Sequence, residues 1–372
     1  MARNSMTQVP LFGGGGSVGR QTGPASSTTP RRGGSNAGLM SRPIGSSGHE
    51  VTARGHQVFV GELARFAGDC DDARVRAIAQ TTAAPLRVAV YGRRGAGRPT
   101  VARALAHVAG ASGITVMRSG AGPDLVVYVL AEVVKPEDAD AIAAAGCPVL
   151  AVLNKADLLG PLSGSGAGPL TAARRRCTHL AELAGVPVEP IIGLLAVAAF
   201  EGFDEHALRT LAAHPNGSAC LDGSFEGFLT ADNPLAADAR LRLLDSLDMF
   251  GTALGVAAVR RGGTSAGLRA LLRRVSGVDA VVARLSAVAA ELRYRRLLDA
   301  VAELEALAVG HAAMAVRIHD FLTHDDTVLA RMAAALDVAE AVDLDAGRSE
   351  LHRACGADIA RGSLRLRPGA SR

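Results

Sequence analysis

From residue 86 onward, short unbroken apolar runs alternate with longer stretches in which apolar residues return every three or four positions. LRVAVYG (86–92), DLVVYVL (124–130) and CPVLAVLN (147–154) are continuous, rich in β-branched residues and bounded by Gly, Asp or Asn, the pattern of strands buried on both faces. GITVMRS (113–119) and VPVEPIIGLL (186–195) are two further strand candidates. Between them, VARALAHVAG (101–110), KPEDADAIAAAG (135–146) and LTAARRRCTHLAELAG (170–185) read as helices, the second with Pro near its start, and all three stopped by Gly. A helical stretch over 56–84, with Val58, Leu63, Phe66, Val75 and Ile78 on one face, leads into the first strand. Strands alternating with helices predict an α/β unit, a parallel sheet with helices on both faces.

Beyond about residue 230 the strand pattern stops. Leu241, Leu244, Leu247, Phe250 and Leu254 share one helical face, and Leu268, Leu271, Leu272 and Val275 another. Val278, Val281, Val282, Leu285, Val288 and Leu292 begin a long stripe that Val301 and Leu304 extend. Val328, Leu329, Met332 and Leu336 supply one more. This half predicts an all-α bundle. The organisation is then a tail (1–48), an α/β domain with a helical lead-in (57–230), a helical domain (231–355) and a frayed basic end (356–372).

Composition refines that picture. Hydrophobic residues make up 48% of the 372, but aromatics only 3%, so the core is to be built from Ala, Val and Leu. Residues 1–48 hold Arg3, Arg20, Arg31, Arg32 and Arg42, no acid, and mostly Gly, Ser, Pro and Thr. Such a segment buries too little apolar surface to order itself. It reads as a solvated basic tail, with contact to an anionic membrane surface as the sharper alternative. No specific nucleic-acid binding is expected. The five cysteines form no CxxC pair, so neither a disulfide framework nor a zinc site is indicated. With no signal-peptide core and no apolar run of membrane-spanning length, a reducing cytoplasm is the expected location, with peripheral contact at the inner face of the membrane.

Candidate chemistry sits in two turns. The first, GRRGAGRPT, runs from Gly92 to Thr100, between a strand and a helix. Gly92 and Gly97 occupy the two glycine positions of GxxxxGK[ST], the loop that wraps backbone N–H groups around phosphates, and Gly95 lies between them. Arg98 stands where that motif has lysine, and Pro99 where it has the Mg²⁺-binding hydroxyl. Thr100 is the next hydroxyl. Phosphate contact is assigned to Gly92, Gly95, Gly97, Arg98 and Thr100. Alone, this turn is also what a ligand-free strand-to-helix connection looks like. The second turn, Asn154-Lys155-Ala156-Asp157, follows a buried strand directly and spells NKxD, the guanine-reading tetrapeptide of GTPases. There Asp157 accepts from guanine N1 and the 2-amino group, Asn154 braces the loops and the Lys155 stem covers the ring.

PLRVAVYGRRGAGRPTVARAL (85–105) resembles the G-domain entry of actinobacterial dynamin-like GTPases. PDLVVYVL (123–130) and VEPIIGLLA (188–196) are similar to the strand after their third motif and the region of their fifth. RLLDSLDMFGTALGVAAVRRG (242–262) and LRRVSGVDAVVARL (272–285) resemble their following helices. The resemblance implies a P-loop fold, GTP or GDP as ligand, and a homo- or hetero-oligomer with another dynamin-like protein. The departures fall on one side of the site. VMRSGAG (116–122) carries no DxxG acid, and the short interval from Gly97 to Asn154 leaves no room for the threonine-bearing switch loop. With Pro99, every Mg²⁺-linked feature is gone. The expectation is guanine binding with weak or absent hydrolysis, no assigned catalytic residue and no reliance on Mg²⁺. His319 and His324, five apart near Asp320, Asp325 and Asp326, do not share a helical face and read as a solvated helix end. Arg174–Arg176 read as a solvated face.

Overall fold

In a computed structural model, described over residues 54–117, 122–159, 169–214, 224–232, 234–341 and 349–367, five parallel strands form one sheet in the order β2-β1-β3-β4-β5. They are β1 (Leu86–Gly92), β2 (Ile114–Met117), β3 (Leu125–Ala131), β4 (Val149–Asn154) and β5 (Val188–Pro190). The helices in chain order are α1 (Arg54–Cys70), α2 (Ala73–Ala83), α3 (Arg98–Ala109), α4 (Pro136–Ala143), α5 (Pro169–Ala184), α6 (Gly193–Glu201) and α7 (Glu205–Ala213). They continue with α8 (Phe225–Thr230), α9 (Ala237–Arg260), α10 (Ser265–Ser276), α11 (Val278–Gly310), α12 (Ala312–Thr323), α13 (Asp325–Ala341) and α14 (Glu350–Arg365). The tail at 1–48 lies outside the described residues, as do 118–121, in the place of the missing DxxG motif.

β3 buries every position from Leu125 to Leu130, which is why its sequence shows no alternation. One face of the sheet packs Ala89, Val126, Tyr128, Ala151 and Leu153 against Ile142 of α4 and Cys177 and Leu180 of α5. The other packs Val88, Val127, Val129, Leu150 and Val152 against Val101 and Leu105 of α3 and against α11. The expected α/β layering is present. β5 is shorter than the sequence pattern predicts: it ends at Pro190, Ile191 makes the last contacts with the end of β4 by donating to the Leu153 carbonyl at 2.9 Å and accepting from the Ala156 N–H, and Gly193 opens α6.

The 33-residue α11 is the spine of the molecule. Its first turns bury Val278, Val281, Val282 and Leu285 against the sheet. Further along, Tyr294, Leu297, Val301 and Leu304 enter a second core with Phe59 and Leu63 of α1, Val75 of α2 and Ala334 and Val338 of α13. The long stripe is therefore intramolecular core along most of its length. The lead-in helices pack on the C-terminal helices rather than on the sheet, and they form two helices, not one. Asp71 turns into the left-handed region at φ 47°, and the Asp72 carboxylate caps α2 by accepting from Arg74 N–H at 2.8 Å.

The end of the chain corrects an expectation. Residues 356–365 are not a frayed end but the body of α14, capped by Ser349. Its buried positions are Cys355, Asp358 and Gly362, a small and polar stripe that apolar periodicity does not register. Asp358, 2% exposed, accepts from Tyr294 Oη at 2.8 Å and pairs with Arg331 and Arg361. A Cβ at Gly362 would come within 2.5 Å of Met332, so the helix seats only because that residue is glycine.

Candidate functional site

The crevice lies at the carboxyl ends of the strands, beside the point between β1 and β3 where the sheet order reverses and where doubly wound sheets bind ligands. Two turns meet there. Gly92 ends β1 at φ 140°, and a Cβ on it would stand 2.4 Å from the Val129 carbonyl oxygen. Gly97 caps α3 in the left-handed region. On the other side β4 ends at Asn154, Lys155 turns at φ 59°, and Ala156–Leu159 make a 3-10 turn that carries Asp157.

Asn154, 5% exposed, ties the loops together. Its Nδ2 donates to the Ala96 carbonyl at 2.9 Å, and its Oδ1 accepts from the Gly193 N–H at 3.0 Å. A Cβ at Gly97 would sit 2.3 Å from Nδ2 and one at Gly193 3.1 Å from Oδ1, so both glycines are spaces for this amide. One side chain thus fixes the turn after β1, the turn after β4 and the start of α6.

Gly97, Thr100, Asn154, Lys155 and Asp157 line one cavity of about 220 Å³, with Leu158, Ile192, Gly193, Leu194 and Asp248. That volume is below the usual range for a whole small-molecule ligand and suits one ring system of it. Asp157 is 6% exposed, and among the described residues no neighbour donates to its carboxylate beyond its own backbone N–H. Burial pushes its carboxyl above the usual range; the charge of Asp248 acts the same way, and Lys155 only partly opposes it. The rest of its acceptor capacity opens on the cavity, where a donor-bearing ligand would meet it. Lys155 also borders a wider cavity of about 700 Å³ with Arg175, Arg176 and His179 of α5. The basic run of α5 therefore faces a recess beside the site.

The phosphate side is arranged differently. Gly92, Gly95 and Arg98 lie on the adjoining turn and do not line the cavity. Ala96 N–H bonds back to the Arg93 carbonyl at 3.3 Å and is turned away from any ligand. Arg93 is fastened to the buried Asp138 by Nε at 2.8 and 2.9 Å. Burial alone would raise Asp138, but Arg93, the Lys135 N–H and Tyr128 Oη hold it below the usual range. Arg87, Arg93 and Arg103 all have carboxylate partners, whereas the exposed Arg98 has none among the described residues. Among the described residues the N–H groups of Gly97 and Arg98 at the start of α3 donate to no backbone carbonyl either, which leaves a small positive pole. Pro99 at the helix start has neither hydroxyl nor N–H, and Thr100 faces the cavity beside Gly193, so the residues present do not fit a Mg²⁺ ion in the usual place.

Sequence reasoning missed Ile192 and Leu194 as cavity walls, having read them as strand, and missed Asp248 entirely. The polar residue next to Leu247 in an apolar stripe was the one available signal. No family model, curated protein or solved structure matches this chain.

Proposed function

We propose that this chain is a guanine-nucleotide-binding protein of P-loop type that hydrolyses its ligand weakly or not at all. The observation that carries the reading is Asp157, a residue more than nine-tenths buried, whose carboxylate lines a ring-sized cavity and takes no donor from a neighbour among the described residues. A carboxylate there accepts the N1–H and one 2-amino N–H of guanine and meets no such pair on adenine. The Asn154 brace and the Lys155 flank support the same reading. Phosphates would extend toward the Gly97 and Arg98 N–H groups and the free Arg98 guanidinium.

The eroded phosphate side favours a second role, a pseudo-GTPase that acts as a structural partner of an intact dynamin-like protein. Pro99 and the inward-turned Ala96 N–H are its specific support. Fluorescent GDP and GTP titrations with and without Mg²⁺, competed by ATP, test the binding reading. Guanine-selective binding that does not need Mg²⁺ is the expected result, and equal affinity for ATP and GTP overturns it.

A further inference from the structure

α9 is not one continuous helix. At Asp248 the backbone moves to φ 57°, ψ −176°, a conformation that glycine adopts readily and other residues hold only under constraint. Leu247 and Met249 on either side are buried, so the break is anchored in the core. Asp248 Oδ1 accepts from the Met249 N–H at 2.7 Å and caps the second half of the helix, while its carbonyl accepts from the buried Thr252 hydroxyl at 2.7 Å. Oδ2 has no partner among the described residues. The break brings Asp248 to the wall of the cavity that Asp157 lines.

Two carboxylates therefore border a ring-sized cavity, and among the described residues no neighbour donates to the buried one. Guanine presents three N–H bonds on one edge, the N1–H and both hydrogens of the 2-amino group. Asp157, bidentate, satisfies the N1–H and the nearer amino hydrogen. The outer amino hydrogen is left over. We infer that Asp248 accepts it, so that the cavity reads the exocyclic 2-amino group twice and selects guanine against hypoxanthine as well as against adenine. The inference rests on the guanine-nucleotide reading of the same cavity. Its consequence is that the base site is completed by the helical half of the chain and is not contained in the α/β unit.

The experiment measures GDP and IDP affinities, by calorimetry without Mg²⁺, for the wild type, Asp248→Asn and Asp248→Gly. Asn keeps the shape of Asp and an oxygen for the Met249 cap, but turns an amide N–H₂ toward the base. Gly suits the backbone angles and removes the acceptor. GDP affinity should fall about 10–100-fold in both variants, as for a hydrogen bond to a charged group, while IDP affinity stays within about twofold. The GDP-to-IDP ratio then collapses with the fold intact by circular dichroism. A ratio unchanged in both variants, with GDP still bound, overturns the role of Asp248 and leaves the guanine reading standing. A wild type that binds no GDP overturns both.

Discussion

At the Asn154 end of the crevice, one amide spans three loops, two glycines make room for it, and the carboxylate of the buried Asp157 faces a cavity. A few residues away, the turn after β1 has the outline of a phosphate loop but little of its chemistry. One amide is folded back on Arg93, Pro99 stands where a hydroxyl belongs, and the cation Arg98 projects from the surface. Both ends rest on the same sheet and share Gly97. The difference shows that the framework of the crevice and the side-chain chemistry of the turn after β1 are separable. Asn154 is held because three backbone segments depend on it, whereas nothing structural depends on a hydroxyl at position 99.

The largest expected effect breaks the Asn154 end. Asn154→Ala orphans the buried Ala96 carbonyl and Gly193 N–H, each worth about 1–3 kcal/mol, so urea unfolding should show a loss of about 4 kcal/mol. Arg98→Ala, on the exposed side, should stay within about 0.5 kcal/mol of the wild type. Equal effects of the two would remove the contrast drawn above.

Next in size is Asp157→Ala. Removing an acceptor that serves two base N–H groups, in a charge-assisted contact, should weaken GDP binding by about 2–4 kcal/mol. Stability of the free protein should not fall with it, because the buried carboxylate lacks a donor from any neighbour described. Affinity loss matched by an equal loss of stability would make Asp157 a structural residue.

Much of this was legible in the sequence. The three long buried strands announced themselves as unbroken apolar runs, and NKAD after the third of them pointed to the turn that lines the cavity. What was not legible depended on contacts distant in sequence. The helical lead-in looked like a preface to the sheet, yet Phe59 and Leu63 pack with residues near 300 and 335. The stripe of α14 is Cys355, Asp358 and Gly362, whose burial is set by Tyr294, Arg331 and Met332 rather than by its own hydropathy. Asp248 was hidden for a related reason: one polar residue beside Leu247 inside a good apolar period does not show that the helix breaks there. The resemblance to dynamin-like proteins stands on the motifs alone.

A smaller effect is expected from repairing the eroded end. Arg98→Lys with Pro99→Ser restores a lysine head and a hydroxyl for Mg²⁺. GTP affinity in Mg²⁺ should improve by about 1.5–3 kcal/mol, the worth of one hydrogen bond to a charged group. Turnover should remain low in both proteins, since phosphoryl transfer also requires a positioned water and neutralised equatorial oxygens, which these two side chains do not supply. Single-turnover phosphate release checks this. A wild-type rate equal to that of an intact dynamin-like GTPase, abolished by Asp157→Ala, would overturn the pseudo-GTPase reading.

The smallest effect sharpens the comparison by pH. Burial raises the Asp157 carboxyl in the folded protein. A group whose folded pKa is raised binds its proton more tightly when folded, so its contribution to stability is fully present below the unfolded pKa and is lost as pH rises through the folded value. In the ligand-free protein Asp157 therefore favours the acidic side. Guanine binding has the opposite sign, because only the ionised carboxylate accepts from both N–H groups, and affinity should grow as pH rises across the same window. Saturating GDP should then reverse the part of the slope that belongs to Asp157. The measurement is Tm against pH, with and without GDP, for the wild type and Asp157→Asn. Other carboxylates titrate in both proteins and cancel in the difference. The wild-type minus variant difference should fall with pH in the free protein and rise with pH in the bound one. Two parallel curves would mean that this carboxylate does not meet the base.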